Sequence, residues 1–156
     1  MTWADERWGA AMAAALEEAR AALRTGDVPV GAVVVDAGGT VLGRGRNERE
    51  AHGDPLAHAE VVALRAAARA RGGWRLDDCA LVVTLEPCPM CAGAAAQARV
   101  AQVVFGADDP KAGAAGSVWD LLCDPRAPHR PEVHRGVGSA ESSALLREFF
   151  SVRRSH

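Results

Sequence analysis

Lysine occurs once in these 156 residues, at Lys111, and arginine carries the rest of the positive charge. Together with the wealth of alanine and glycine, this is a compositional bias and not chemistry. No apolar run approaches the roughly 18 to 20 residues that span a bilayer, so no membrane partner is expected. Cysteine is scarce. Its four positions, 79, 88, 91 and 123, are too few and too unevenly placed for a disulfide framework in a chain of this size. Two of them have the spacing of metal ligands, and Cys79 and Cys123 read as reduced, buried residues. The first seven residues are acidic and contain tryptophan, without the basic and apolar regions of a secretory leader. A cytoplasmic location is expected. The formal net charge of −2 argues against a general nucleic-acid coat, and no DNA partner is expected. The charge is uneven: residues 126–156 hold six of the 18 basic groups and three of the 20 acidic ones. A local cationic patch can engage phosphates, although composition by itself slightly favours a solvated helix face.

The length fits one ordinary domain, 1–156, without internal repeat or linker. Trp8, Met12, Ala15, Leu16, Ala19 and Leu23 recur at helical steps, predicting an amphipathic helix that Thr25-Gly26-Asp27 ends and that covers one face of a sheet. Two β-branched runs, 30–35 and 40–46, flank Asp36-Ala37-Gly38-Gly39 and predict a hairpin. A loop over 47–55 leads to a helix from His58 to about residue 71, more apolar than an exposed helix would be. Further strands are predicted over 79–84 and 103–106, with a helix over 89–98 between them. The tract 108–117 reads as a loop, 118–122 as a short helix, 132–137 as a last strand and 141–153 as a closing helix. Strands alternating with helices indicate an α/β sheet with parallel members, whose sites gather at strand carboxyl ends.

His58-Ala59-Glu60 and Pro87-Cys88-Pro89-Met90-Cys91 stand at two such ends and supply one imidazole, two thiols and a separate carboxylate. Cys88 and Cys91 are three apart at a predicted helix start, so both thiols lie on one face of its first turn. The positive end of a helix favours thiolate there, and Pro89 fits a first turn because its missing N–H is no loss. His58 opens its own helix. First-turn side chains lean toward the open end, so His58 and Glu60 both reach a centre just beyond it. Three protein ligands leave a position for water, as hydrolytic zinc sites do, whereas a structural site is closed by four. One Zn2+ per chain is therefore expected on His58, Cys88 and Cys91. A non-catalytic zinc module would need a fourth ligand from Cys79, His52 or Cys123. Cys79 begins the strand whose far end leads to Cys88, and at about 3.3 Å per residue it stands well away.

Joined in this order, the two motifs resemble those of the zinc nucleobase deaminases, in which the glutamate shuttles protons between water, a ring nitrogen and the departing ammonia. Glu60 takes that catalytic role here. From Val28-Pro29-Val30-Gly31-Ala32-Val33 onward, the chain resembles the bacterial tRNA-specific adenosine deaminases, which convert the wobble adenosine of an arginine tRNA anticodon to inosine. The resemblance runs through Thr84-Leu85-Glu86-Pro87-Cys88-Pro89-Met90-Cys91-Ala92-Gly93-Ala94 and Asp109-Pro110-Lys111-Ala112-Gly113 to Leu145-Leu146 and Phe149-Phe150. It implies a three-layer α/β/α cytidine-deaminase-like fold with a five-stranded mixed sheet flanked by helices. It also implies a homodimer whose second subunit completes an RNA groove, and a tRNA anticodon stem-loop as partner. By the same resemblance Asn47 contacts the base, Asp109 lies near the anticodon backbone, and Pro29 with the backbone of Ala59 shapes the purine pocket. The family's Asn-His-Arg before the last strand is replaced by Pro128-His129-Arg130-Pro131, and Glu48 and Glu50 add negative charge beside the pocket loop. A zinc-dependent deaminase of a free nucleobase or small amino-heterocycle, guanine or cytosine among them, is the alternative, because Pro-Cys-Pro-Met-Cys occurs among such relatives too.

Overall fold

A computed structural model of the chain describes residues 3–154. The predicted first helix is α1, Trp3–Ala22, which tightens into a 3-10 turn over Leu23–Thr25 before Gly26. The hairpin follows as β1, Gly31–Val35, and β2, Val41–Arg46. The predicted loop 47–55 contains a one-turn helix, α2, Arg49–His52, whose cap comes from a distance. Buried Asp27, 1% exposed, accepts the Glu50 N–H at 2.7 Å and the Ala51 N–H at 3.2 Å. Its partners lie 23 and 24 residues away, so local pattern could not reveal this cap.

Next come α3, Ala59–Arg71, with His58 as its N-cap, β3, Ala80–Leu85, and α4, Pro89–Gln97, with Cys88 as its N-cap. They are followed by β4, Gln102–Ala107, β5, Glu132–Arg135, and α5, Ser139–Arg154. The expected helix at 118–122 does not form. The Val118 and Trp119 amides both donate to the Gly113 carbonyl, the Leu121 amide donates to Ala114, and Ala115 bridges Asp120, so the segment folds back on the preceding loop. Cys79 is buried as expected, but Cys123 is exposed on this folded-back segment.

The five strands lie in the order β2-β1-β3-β4-β5. β1 is antiparallel to both β2 and β3, while β3, β4 and β5 run parallel. Four of the five carboxyl ends therefore share one edge, and β1 begins there. Side chains alternate across the sheet. Ala32, Val34, Leu81, Val83, Val103 and Phe105 pack with α3 and α4 residues such as Ala63, Leu64 and Ala95. Val33, Val35, Val82 and Val104 pack on the other face with Trp8, Met12 and Leu16 of α1. The result is the expected three-layer arrangement. β3 and β4, covered on both faces, read as unbroken Val-rich runs for that reason. Among the described residues no helix is long and apolar enough to cross a membrane.

Gly43 and Gly45 set how closely α3 lies on β2. A Cβ at Gly45 would stand 2.3 Å from the Ala59 carbonyl oxygen, and one at Gly43 2.4 Å from that of Ala63. Two missing side chains thus let the helix backbone rest directly on the edge strand, and this seats the helix start that carries His58 and Glu60.

Candidate active site

The shared strand edge gathers the predicted site. Asn47 follows β2, Glu86-Pro87-Cys88 follows β3, residues 108–117 follow β4, and Pro29 precedes β1. Helices α3 and α4 begin at this edge, so their N-cap residues His58 and Cys88 face each other. His58 Nδ1 is 3.5 Å from Cys88 Sγ and 3.4 Å from Cys91 Sγ, and all three ligand atoms lie within 4.8 Å of one another. Tetrahedral zinc with ordinary Zn–N and Zn–S lengths puts nitrogen and sulfur roughly 3.5 Å apart. The donor set fits the ion. His58, Cys88 and Cys91 are the one such group among the described residues, and it includes none of Cys79, His52 and Cys123. Among the described residues no fourth protein ligand joins this group, which disfavours the closed structural module.

The three ligand side chains set one another's protonation through their mutual hydrogen bonds. Hydrogen bonding from Cys91 pulls the Cys88 thiol down to about 4 against the opposing effect of burial, with His58 adding to the pull. The bond to Cys88, together with burial, pushes Cys91 well above the thiol range and holds its proton in place. A bound cation would displace it. His58 is raised by its contact with Cys88. Cys79, by contrast, is pushed up to about 11 by burial and is inert.

Glu60 sits in the first turn of α3, 4% exposed. Burial pushes its carboxyl up to about 7, against the opposing pull of its own backbone N–H and of His58. A carboxyl poised near neutrality both accepts and returns protons.

The residues expected to contact the substrate lie along the same strand edge. Pro29 and Ala59 are buried at the strand edge. Asn47, 8% exposed, ties β2 to β1 through its N–H to the Val30 carbonyl, while its Oδ1 accepts the Arg49 N–H at 3.2 Å. A cleft of ≈ 180 Å³ beside it is lined by Val28, Asn47, Arg49, Phe149, Phe150 and Arg153. Asp109 is half-buried, and its Oδ1 accepts the Lys111 and Ala112 amides at 3.0 and 3.2 Å. Glu48, beside the pocket loop, is paired with His52 one helical turn on. In the segment that departs from the family pattern, Pro128 is exposed and the His129 ring anchors to the Val100 carbonyl at 2.7 Å.

Sequence reasoning gave no role to Glu86, buried at the end of β3. Burial would raise its carboxyl, but hydrogen bonds from the Ser117 hydroxyl and from the Asp109, Ser117 and Ala115 amides outweigh that and hold it below the usual carboxylate range. The available signal was an acidic residue closing an otherwise apolar strand.

Residues 5–107 match the cytidine and deoxycytidylate deaminase zinc-binding region. The chain belongs to that family. Among its relatives in the deaminase family, the tRNA-specific adenosine deaminase of Bacillus subtilis is 46% identical over 139 residues, covering 89% of this chain and 86% of the relative. A tRNA(Ile)-lysidine synthase of Deinococcus radiodurans is 54% identical over 146 residues, 93% of this chain but 25% of that protein. The chain thus spans about a quarter of the length of the two Deinococcus relatives it matches. A chain solved in studies of A-to-I editing by tRNA:A34 deaminases superposes with a TM-score of 0.85 at 41% identity, covering 88% of this chain and 99% of that one. Guanine deaminase from Nitrosomonas europaea superposes at 0.76 with 26% identity, covering 91% and 84%.

Proposed function

We propose that this chain, as one deaminase domain over 1–156, hydrolytically deaminates the wobble adenosine of a tRNA anticodon to inosine. The observation that carries this reading is the breadth of likeness to the tRNA:A34 deaminase, 41% identity across 99% of that chain, against 26% for the guanine deaminase. Attachment of a closely similar domain to proteins named for lysidine synthesis on tRNA(Ile) supports a tRNA substrate further. Deamination of a free base such as guanine is the second reading, favoured by the fold that the guanine deaminases share.

His58 Nδ1, Cys88 Sγ and Cys91 Sγ would hold zinc, which supplies the Lewis acidity that makes water a nucleophile at neutral pH. Glu60 accepts a proton from the attacking water on its carboxylate and returns it to the purine ring nitrogen. A second transfer through the same carboxyl protonates the leaving amine, so adenosine and water become inosine and ammonia. Asn47, Pro29 and the Ala59 backbone orient the base, and Asp109 borders the strand that carries it.

We also infer a homodimer working in the cytoplasm. A groove of ≈ 510 Å³ on the outer face of α3 and α4, lined by Val61, Leu64, Ala68, Trp74, Ala94 and Ala98, supports the dimer, and Trp74 is 60% exposed there. A second copy covering that face would bring its own loops toward the site.

The salt dependence of substrate binding tests the reading. KM for an anticodon stem-loop rises steeply with salt as Lys111, Arg49 and Arg153 lose phosphate contacts. KM for a free base stays nearly flat, because its recognition rests on hydrogen bonds and stacking. A flat profile with guanine as the turned-over substrate favours the second reading.

A further inference from the structure

We propose that Glu86 is a positioning residue that holds the 108–117 loop at the mouth of the metal centre, and so sets the grip on the polynucleotide flanking the reacting base; this rests on the tRNA reading above. Glu86 is 2% exposed and two residues before Cys88. Its Oε1 accepts the Asp109 N–H at 3.0 Å and the Ser117 hydroxyl, and its Oε2 accepts the Ala115 and Ser117 amides at 3.0 and 3.1 Å. All four donors belong to the loop and none to the metal ligands. An ionised carboxylate accepts at both oxygens, whereas a neutral amide of the same size presents a donor at one of them.

The rest of the loop is built around that anion. A Cβ at Gly113 would stand 2.4 Å from the Glu86 carboxylate, so only glycine lets the loop close on it. The Ala114 amide donates to the Pro87 carbonyl at 2.8 Å, which ties the loop to the turn that leads into Cys88. From the β5 side, Arg135 donates to the Ala115 carbonyl at 2.5 Å. The loop is thus clamped between an anion at the end of β3 and a cation at the end of β5. Within it the Asp109 carboxylate accepts the Lys111 amide and presents Lys111, the chain's one lysine, to solvent. No metal ligand and no proton carrier lies on the loop. Loosening it therefore weakens the hold on the substrate strand and spares the chemical step.

The test is Glu86→Gln in the full, zinc-loaded chain. Zinc content should be unchanged, and amide hydrogen exchange should quicken across 108–117 while α3 and α4 keep their protection. KM for an anticodon stem-loop should rise about tenfold, the size of one lost charge-assisted hydrogen bond, with kcat within about threefold. Gly113→Ala retains the carboxylate but pushes the loop off it, and should reproduce the split. Ser117→Ala removes the hydroxyl donor and should fall between. If Glu86→Gln does not fold, the latter two variants carry the same comparison. Unchanged exchange in the loop, loss of zinc, or a fall in kcat at constant KM overturns the positioning role. A wild-type protein that makes no inosine defeats the tRNA reading instead, and the exchange comparison still decides whether Glu86 holds the loop.

Discussion

Replacing Gly45 by alanine is a test of how the fold places Glu60. The added Cβ would lie 2.3 Å from the Ala59 carbonyl oxygen, 2.6 Å from the Ala63 amide nitrogen and 2.9 Å from Val62 Cβ. Ordinary contact begins near 3.4 Å, so the first turn of α3 must retreat by about 1 Å, and that turn carries His58 and Glu60. Overpacking of this kind costs about 1–3 kcal/mol, and a misplacement of about 1 Å in a reacting constellation costs about 10²-fold in rate. Gly43→Ala is the matched control. Its Cβ meets Ala63 and Ala67, one turn further along α3, at 2.4 and 2.5 Å. Urea denaturation should show similar stability losses for both variants, while kcat on a stem-loop substrate should fall about 10²-fold for Gly45→Ala and much less for Gly43→Ala. Equal rate losses, or a Gly45→Ala enzyme with wild-type kcat, would show that the β2–α3 contact does not set the carboxylate.

Glu60→Gln should retain one zinc per chain by elemental analysis yet lose deamination by roughly 10²- to 10⁴-fold; a zinc-free variant, or one with most of its turnover, contradicts the proton-carrier role. Arg99 has a φ of 65°, in the left-handed region that favours glycine, so Arg99→Gly should stabilise by about 0.5–1 kcal/mol in urea denaturation. A loss of stability there would mean that the arginine side chain outweighs its backbone strain. The parent should sediment as a dimer and Trp74→Asp as a monomer; a monomeric parent contradicts the inferred homodimer, and a variant that stays dimeric places the interface elsewhere.

Much of the architecture was legible because it is written locally. Helical steps of three and four residues marked α1, β-branched runs marked the hairpin of β1 and β2, the alternation of strands with helices marked the parallel half of the sheet, and the His58 and Cys88 motifs fell at helix starts where both ligand sets reach one point. The misses share a cause in distant partners. The short α2 exists because Asp27 caps it from 23 and 24 residues away. The segment 118–122 carries apolar residues at helical spacing, yet its amides bond back to Gly113 and Ala114. That fold-back leaves Cys123 exposed. Glu86 had no visible role until its four donors, 23 to 31 residues ahead in sequence, were brought to it by the parallel pairing of β3 with β4.

The most direct measurement of the central claim is nucleoside analysis of an anticodon stem-loop with adenosine at the wobble position, incubated with the zinc-loaded protein beside an equal concentration of free guanine. The account predicts conversion of that one adenosine to inosine, with equimolar ammonia, no xanthine, and loss of the product when Glu60 is replaced by glutamine. Xanthine and ammonia from guanine, with the stem-loop adenosine intact, would contradict it.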